Sequence, residues 1–515
     1  MKYFLYDSTE RLSYFVMPLR GSEIGVSMKI YNTLAGKKEA FSPLEEGHVQ
    51  LYVCGITSYD YCHIGHARSS LVFDMVVRYL RYRGYKVTFV RNFTDIDDKI
   101  IARAAEQGVD STQLAEQFIA AFYTDMDALG VLRADIEPKA TEHIQDMIDL
   151  IQELIEKGLA YPSAGDVYYR VGKFSDYGML SGRKLEDMQA GARIDVNEQK
   201  EDPMDFVLWK GAKPGEPKWS SPWGEGRPGW HIECSAMSRK YLGKNFDIHG
   251  GGKDLIFPHH ENELAQSVGA NQCPFANLWM HHGFVTIKDE KMSKSLGNFL
   301  TIRDVLREYP AETLRLFIFS TQYRNPLDFS ETALQDAQTG LDRMYDCLAQ
   351  INELVQAAEQ GGDSTIGQKD KKKIQSLRQR FEKAMDNDFN SAQALGHLFD
   401  GVKVLNKACR LVGSQQEVAT EDIQLLEQAK VTMQDLAGLL GVLQQEPGQY
   451  IQAKKDRLLA SLTLSEQEIN DLIAERNAAR EQKDWATSDA VRDKLLAHNI
   501  ELHDGPDGTS WGVKA

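Results

Sequence analysis

The sequence predicts an α/β fold: a doubly wound parallel (Rossmann-like) domain carrying an insertion, then a helical bundle and a small C-terminal domain. Three observations predict it. Val49 to Val53 alternates as a short buried strand that ends at Cys54-Gly55, and after a loop His63-Ile64-Gly65-His66 opens a long amphipathic helix. That helix carries Leu71, Met75, Val76, Tyr79 and Leu80 on one face, stops at Gly84, and leads by a short turn into a second β-rich run, Lys86 to Arg91. Strand, helix and strand so joined make a βαβ unit, whose sheet is parallel. From Thr301 onward helical patterns dominate.

A chain of 515 residues exceeds one core. Its expected divisions are an N-terminal extension at 1–27, to which no role is assigned, a catalytic domain at 28–330 with an inserted segment at about 110–228, a bundle at 331–445 and a terminal domain at 446–515. Hydrophobic residues at 42% and charged residues at 26% are ordinary globular values, which argues against large-scale disorder. A net charge of -16 argues against a DNA-coating protein but leaves room for a local basic groove on RNA. Six dispersed cysteines make no secreted disulfide framework and fit a reducing cytoplasm. No apolar run approaches the ~18 residues of a membrane span, and Phe15-Val16-Met17 is too short for a signal h-region.

The strand–loop–helix at His48 to Arg68 is a place to hold phosphate, because free N–H groups and the helix dipole favour anions at a helix mouth. Asn92 to Ile100 follows the second strand, and its carboxylates fall where a doubly wound sheet binds ligands, or else are solvated loop charges. Ile101 to Lys157 reads as helical, and Gly158 to Gly229 as short strands of an insertion, with Asp205 to Lys210 in its layer. Gly250-Gly251-Gly252 reads as a turn before Asp254, and Gly283 to Ile287 as a strand with Lys291 to Ser295 on the loop after it.

Soft and borderline ligands recur in two motifs, GWHIEC around Cys234 and FPHHENE around His259. His259 and Glu263 are spaced i, i+4 and share a face if Pro258 opens a helix; His260 suits the spacing as well. With Cys54 and Cys234 they would complete two thiolates, an imidazole and a carboxylate, a tetrahedral set suited to zinc. Each cysteine alone is more often a small core residue.

His63-Ile64-Gly65-His66 followed far along by Lys291-Met292-Ser293-Lys294-Ser295 resembles the signature pair of class I aminoacyl-tRNA synthetases. GWHIECS, FDIHGGGKDL and FPHHENE resemble cysteinyl-tRNA synthetases in particular, from about Met28 to the C-terminus. The resemblance implies ATP-dependent activation of L-cysteine and its transfer to tRNA(Cys). One zinc ion would sit on Cys54, Cys234, His259 and Glu263, and Mg2+ would accompany ATP. It assigns His63, His66, Lys291 and Lys294 to catalysis, and Ile64, Gly65, Asp254, Met292, Ser293 and Ser295 to ATP. Gly55, Thr94, Trp230 and His249 fall to the substrate cysteine, with Asp254 also suited to its ammonium. From sequence, Trp230 reads equally as a core tryptophan. A monomeric cytoplasmic enzyme is implied, with no membrane or DNA partner.

The last segment reads as a helix pair and a hairpin after a break at Pro447-Gly448. Tryptophan and arginine can stack unpaired bases and aspartate can accept from a base edge. The resemblance places anticodon recognition on Arg480, Trp485, Asp489 and Asp504; Gly512 stands where the family often has arginine. Two other readings remain: a paralogous ligase joining cysteine to an amino sugar, which lacks such a terminal domain, and a catalytically silent zinc-stabilised RNA-binding protein, which does not need intact signature histidines and lysines.

Overall fold

A computed structural model describes residues 28–184, 199–287, 290–291, 300–359, 361–498, 500–505 and 508–513. Four parallel strands form the central sheet: β1 (His48–Val53), β2 (Lys86–Arg91), β3 (Phe246–Gly252) and β4 (Ala276–His282), in the order β4-β3-β1-β2. β1 passes through helix α1 (Ile64–Tyr82) to β2 on one side, while β3 and β4 lie on the other. The winding reverses between β1 and β3, so this crevice at the carboxyl ends is the switch point where such sheets bind ligands. Val53 pairs with Gly250 and Arg91, and Gly252 with His282, which aligns the four ends. The three glycines at 250–252 are therefore strand rather than turn, and the reason is steric. A Cβ at Gly250 would lie 2.3 Å from the Phe73 ring of α1, so their small size lets the helix cross close over the sheet.

The α1 stripe expected from sequence is fully buried, in one core with β1, β2 and the helices after 301. Helical pattern continues beyond Ile101 as expected, with a short break at 108–110 and a longer one after the helix Ser111–Ala128, where the chain leaves at Gly130 and runs along the edge of β2, Ile136 and Lys139 bridging Val90 and Phe93. The carboxylates after β2 prove to be structural. Buried Asp95 accepts from Thr141 N and Oγ1 at 2.9 and 2.5 Å, Asp97 caps the next helix, and Asp98 pairs with Lys210 and Arg227. A five-stranded antiparallel sheet spans Ala160–Pro228 and interrupts the parallel one. It is followed by α2 (Trp230–Leu242) and, between β3 and β4, α3 (Glu261–Asn271).

Helices α4 (Ala311–Phe319) and α5 (Glu331–Ala357) begin the bundle. Lys371 pairs with Glu421 at 2.7 Å, a structural use of its charge. Pro447 opens a helix, α6 (Pro447–Ser461), which runs from the bundle into a small separate core formed by helices Glu466–Glu481 and Trp485–Ala497 and the hairpin Ile500–Gly505/Gly508–Val513. No helix among the described residues is long and apolar enough to cross a membrane.

Candidate active site and metal centre

The loop after β1 turns into α1 through His63, the N-cap residue. Its Nδ1 accepts from His66 N and the His66 Nδ1 accepts from His63 N, both at 3.3 Å, a reciprocal cap built from two histidines. The rings stack with centroids 3.8 Å apart. With each Nδ1 accepting, the Nε2 of each ring is left to donate, at the positive end of a helix. Burial, then the neighbouring His63, holds His66 well below the ordinary histidine range. Ile64 contributes backbone alone, since its side chain is in the core.

Both rings line a cleft of about 300 Å³ at the switch point, together with Gly55, Gly65, Thr94, Trp230 and Asp254. A Cβ on Gly55 would fall 1.6 Å from Asn92 O; instead the chain passes close enough for Gly55 N to donate to Asn92 Oδ1 at 2.9 Å. Thr94 Oγ1 donates to buried Glu233 at 2.7 Å. Trp230 is 37% exposed and lies over the His259 ring at 4.2 Å, so it is a wall of the cleft and not a core residue. Of the second signature, Lys291 pairs in a short strand with Thr286, and Met292, Ser293, Lys294 and Ser295 lie outside the described residues.

At the end of β1, Cys54 meets Cys234 from α2, and His259 and Glu263 from the start of α3. All four donor atoms lie within 4.8 Å of one another. Pro258 does not open the helix: it follows a cis peptide bond after an extended Phe257, and α3 begins at Glu261. His259 Nε2 nonetheless reaches Glu263 Oε1 at 2.9 Å. The sulfurs are 3.6 Å apart, close to the ~3.8 Å edge of a tetrahedral zinc site with bonds of about 2.3 Å. Although burial pushes it up, the Cys54 hydrogen bond and His259 hold the Cys234 thiol down at about 6. Burial pushes Cys54 well up. Burial opposes ionisation of Glu263 and His259 too, yet His249 and His259 keep Glu263 well below the carboxylate range, and Glu263 and Cys234 raise His259 to about 10. Two thiols, an imidazole and a carboxylate converging in a dry site make a donor set that fits zinc.

A second set shares Cys54 and Glu263 but uses His249 and His260. Neither histidine lines the cleft. His249 stands behind Glu263, Nε2 to Oε2 at 2.8 Å, stacked on Trp279 at 4.6 Å. His260 holds Cys54 at 3.3 Å and is itself fixed by His281 at 2.8 Å, which in turn meets Thr33. Sequence reasoning passed over this backing: His281, His231 (3.0 Å from His259), Asn92 and Glu233. His231 and Glu233 flank ligands within quoted motifs, which was the one available signal.

In the terminal unit Trp485 is 59% exposed, and Asp489, on the same helix, pairs with Arg492 at 3.4 Å. Asp504 is taken by Arg480 at 2.7 Å and by both nitrogens of Arg476 at 2.9 Å; Arg476 has no place in the sequence reading.

Residues 40–339 match the family described as "tRNA synthetases class I (C) catalytic domain". A protein of Desulfotalea psychrophila named cysteine--tRNA ligase is 63% identical over 492 residues, 95% of this chain and 99% of that one. The chain belongs to the cysteine--tRNA ligase family. A member from Pelobacter propionicus is 53% identical over 95% of this chain and all of its own length. The family's later regions match too, a DALR domain at 380–444 and a "cysteinyl-tRNA ligase anticodon binding domain" at 465–511. Among solved structures, Mycobacterium tuberculosis methionyl-tRNA synthetase bound by methionyl-adenylate shares the fold, with TM-score 0.57, 16% identity, and coverage of 78% of this chain and 93% of that one.

Proposed function

We infer that this chain, an aminoacyl-tRNA synthetase that joins cysteine to tRNA, selects its amino acid through a zinc ion held by Cys54, Cys234, His259 and Glu263. The supporting observation is that three of these donors line the same cleft as the His63–His66 cap. Of the second set only Cys54 lines the cleft, which favours the first. Held there, zinc would supply a soft position that a thiolate fills far better than an alcohol, where a hydrophobic pocket separates near isosteres poorly.

The chain's own residues do the rest. Trp230 walls the amino-acid side chain, Gly55 and Thr94 border it, and Asp254 takes the ammonium or the adenosine ribose. His249 acts from behind by orienting Glu263. The Nε2–H groups of His63 and His66 donate to ATP phosphate and adenosine, and Lys291 and Lys294 neutralise charge as the amino-acid carboxylate attacks the α-phosphorus in line and pyrophosphate leaves. No protein nucleophile is needed; positioning and charge stabilisation carry the step. Mg2+ enters with ATP. The cysteinyl group then passes to the terminal ribose of tRNA(Cys), whose anticodon meets Arg480, Trp485, Asp489 and Asp504. Six free cysteines suit a reducing cytoplasm, and a monomer is expected. The match at 465–511 disfavours the amino-sugar ligase reading.

Cysteine-dependent ATP–pyrophosphate exchange, with serine as competitor, tests this on wild type and Cys234→Ser. Exchange with cysteine, almost none with serine, and loss of both exchange and zinc in the variant are expected. A zinc-free wild type that still rejects serine would refute the metal reading.

A further inference from the structure

A buried polar run joins the catalytic core to the helix that carries the terminal unit. On α1, Asp74 takes Arg78 Nε at 2.9 Å and also the Arg315 guanidinium, which donates to the carbonyls of Leu129 at 2.7 Å and Leu440 at 2.8 Å. One turn earlier on α4, Glu312 accepts from the backbone of Leu443 at 2.9 Å and Gln444 at 3.2 Å, and from the Tyr345 hydroxyl at 2.8 Å. Tyr345 stacks face to face on Tyr450, centroids 3.7 Å apart and planes 12° from parallel. The Tyr450 hydroxyl donates to Asp342 at 2.7 Å and accepts from Gln338 at 2.8 Å. Both tyrosines are at most 1% exposed.

Tyr450 stands in the first turn of α6. At the other end of that helix, Leu459 and the following Leu462 and Leu464 pack into the separate core around Ile469, Leu472 and Leu495. The stack thus grips the root of an arm whose far end is the terminal unit, and neither tyrosine lines the cleft.

We propose that Tyr450, stacked on Tyr345, is a positioning residue for tRNA: it fixes the root of α6 so that one RNA meets the cleft and the terminal unit together. The inference rests on the reading of that unit as anticodon-binding. When two contacts are joined through a stiff arm, the second forms at high effective concentration; loosening the arm spreads the unit through more space and lowers it. Activation of cysteine uses the cleft alone and does not depend on the arm.

The test uses full-length, zinc-loaded protein: Tyr450→Ala, Tyr450→Phe, Trp485→Ala and the double variant Tyr450→Ala/Trp485→Ala. Pyrophosphate exchange and the KM for a tRNA(Cys) transcript are read side by side. Tyr450→Ala should raise the tRNA KM about ten- to hundredfold and leave exchange within about twofold. Tyr450→Phe keeps the stack and should restore KM. The double variant should be little worse than Trp485→Ala, since both changes remove the same contact. If the alanine variant does not fold, Tyr450→Leu, which keeps apolar volume without the stack, carries the same expectation. Exchange falling in step with aminoacylation, an unchanged tRNA KM, or additive effects in the double variant would each overturn the proposal. A different result, in which neither Trp485→Ala nor an altered anticodon affects KM, would bring down the anticodon reading itself.

Discussion

Gly55→Ala puts a single methyl group where the chain has no room for it. The new Cβ would lie 1.6 Å from Asn92 O, while an ordinary contact needs about 3.4 Å or more, so the strand end must move by more than 1 Å. Overpacking of this kind costs about 1–3 kcal/mol of stability, which a chain of this size survives. The chemistry is less tolerant. Gly55 is bonded to Cys54, a donor of the candidate metal centre, and it borders the substrate pocket; metal sites tolerate about 0.2 Å, and a misplacement of 1 Å costs on the order of 10²-fold in rate. Pyrophosphate exchange should therefore fall about a hundredfold or more, with a modest loss in melting temperature. Gly396→Ala is the control. Gly396 lies inside the helix Ser391–Gly413 with nothing within 4 Å of its virtual Cβ, so alanine should stabilise the helix by roughly 0.5–1 kcal/mol and leave exchange alone. A folded Gly55→Ala protein with wild-type exchange would refute the close-packed account of the cleft.

Arg315→Met should be among the most damaging single changes far from the cleft: it leaves Asp74 with Arg78 as its remaining arginine partner and the Leu129 and Leu440 carbonyls without theirs, at a cost of about 1–3 kcal/mol per unpaired group in denaturant unfolding; a loss under 1 kcal/mol would show the pair to be dispensable. Chelation should release zinc and, with it, unpair the buried Cys54, Cys234, His259 and Glu263, so metal content and melting temperature should fall together; a stripped protein with an unchanged melting curve would oppose a metal at this site. Asp504 is held below the usual aspartate range by Arg476, Thr509 and Arg480. A depressed carboxyl contributes stability above its unfolded pKa of about 3.9 that is lost as pH falls through the lower folded value. Trp511 fluorescence should thus stay constant through the ordinary carboxylate range and change only below it, whereas in Arg476→Met the change should move to higher pH; coincident acid transitions would remove Asp504 from the account.

The signals legible in the sequence were those with local periodicity or fixed spacing. The alternation of Val49 to Val53, the α1 stripe and the helical run after Thr301 each report on one element's own burial, so they survived folding intact. The second ligand motif brings its residues together by a route the spacing did not suggest. Spacing suggested that Pro258 opens a helix, whereas the chain reaches the same His259–Glu263 contact through an extended Phe257 and a helix that starts three residues later. What could not be read were partners set by tertiary approach. His281 supports His260 from another strand, and Arg68 and Arg315 are at most 1% exposed though arginine in a helix normally reads as surface. Composition says nothing about such residues, because the carbonyls they satisfy belong to loops whose paths only the fold defines.

The same distinction explains where this chain concentrates its ionisable groups. A buried charge is tolerated only when paired or ligating, and two of this chain's buried groupings serve different ends. Arg315, Asp74 and Glu312 are saturated by backbone and by one another, which suits a rigid joint between catalytic core and bundle. Around Glu263 saturation is incomplete: one thiol and three imidazoles converge on one carboxylate, and the Nδ1 of His249 has no partner among the described residues. This second cluster lies beside the cleft, with Cys54, Cys234 and His259 in its wall, which is the arrangement the proposed cation requires.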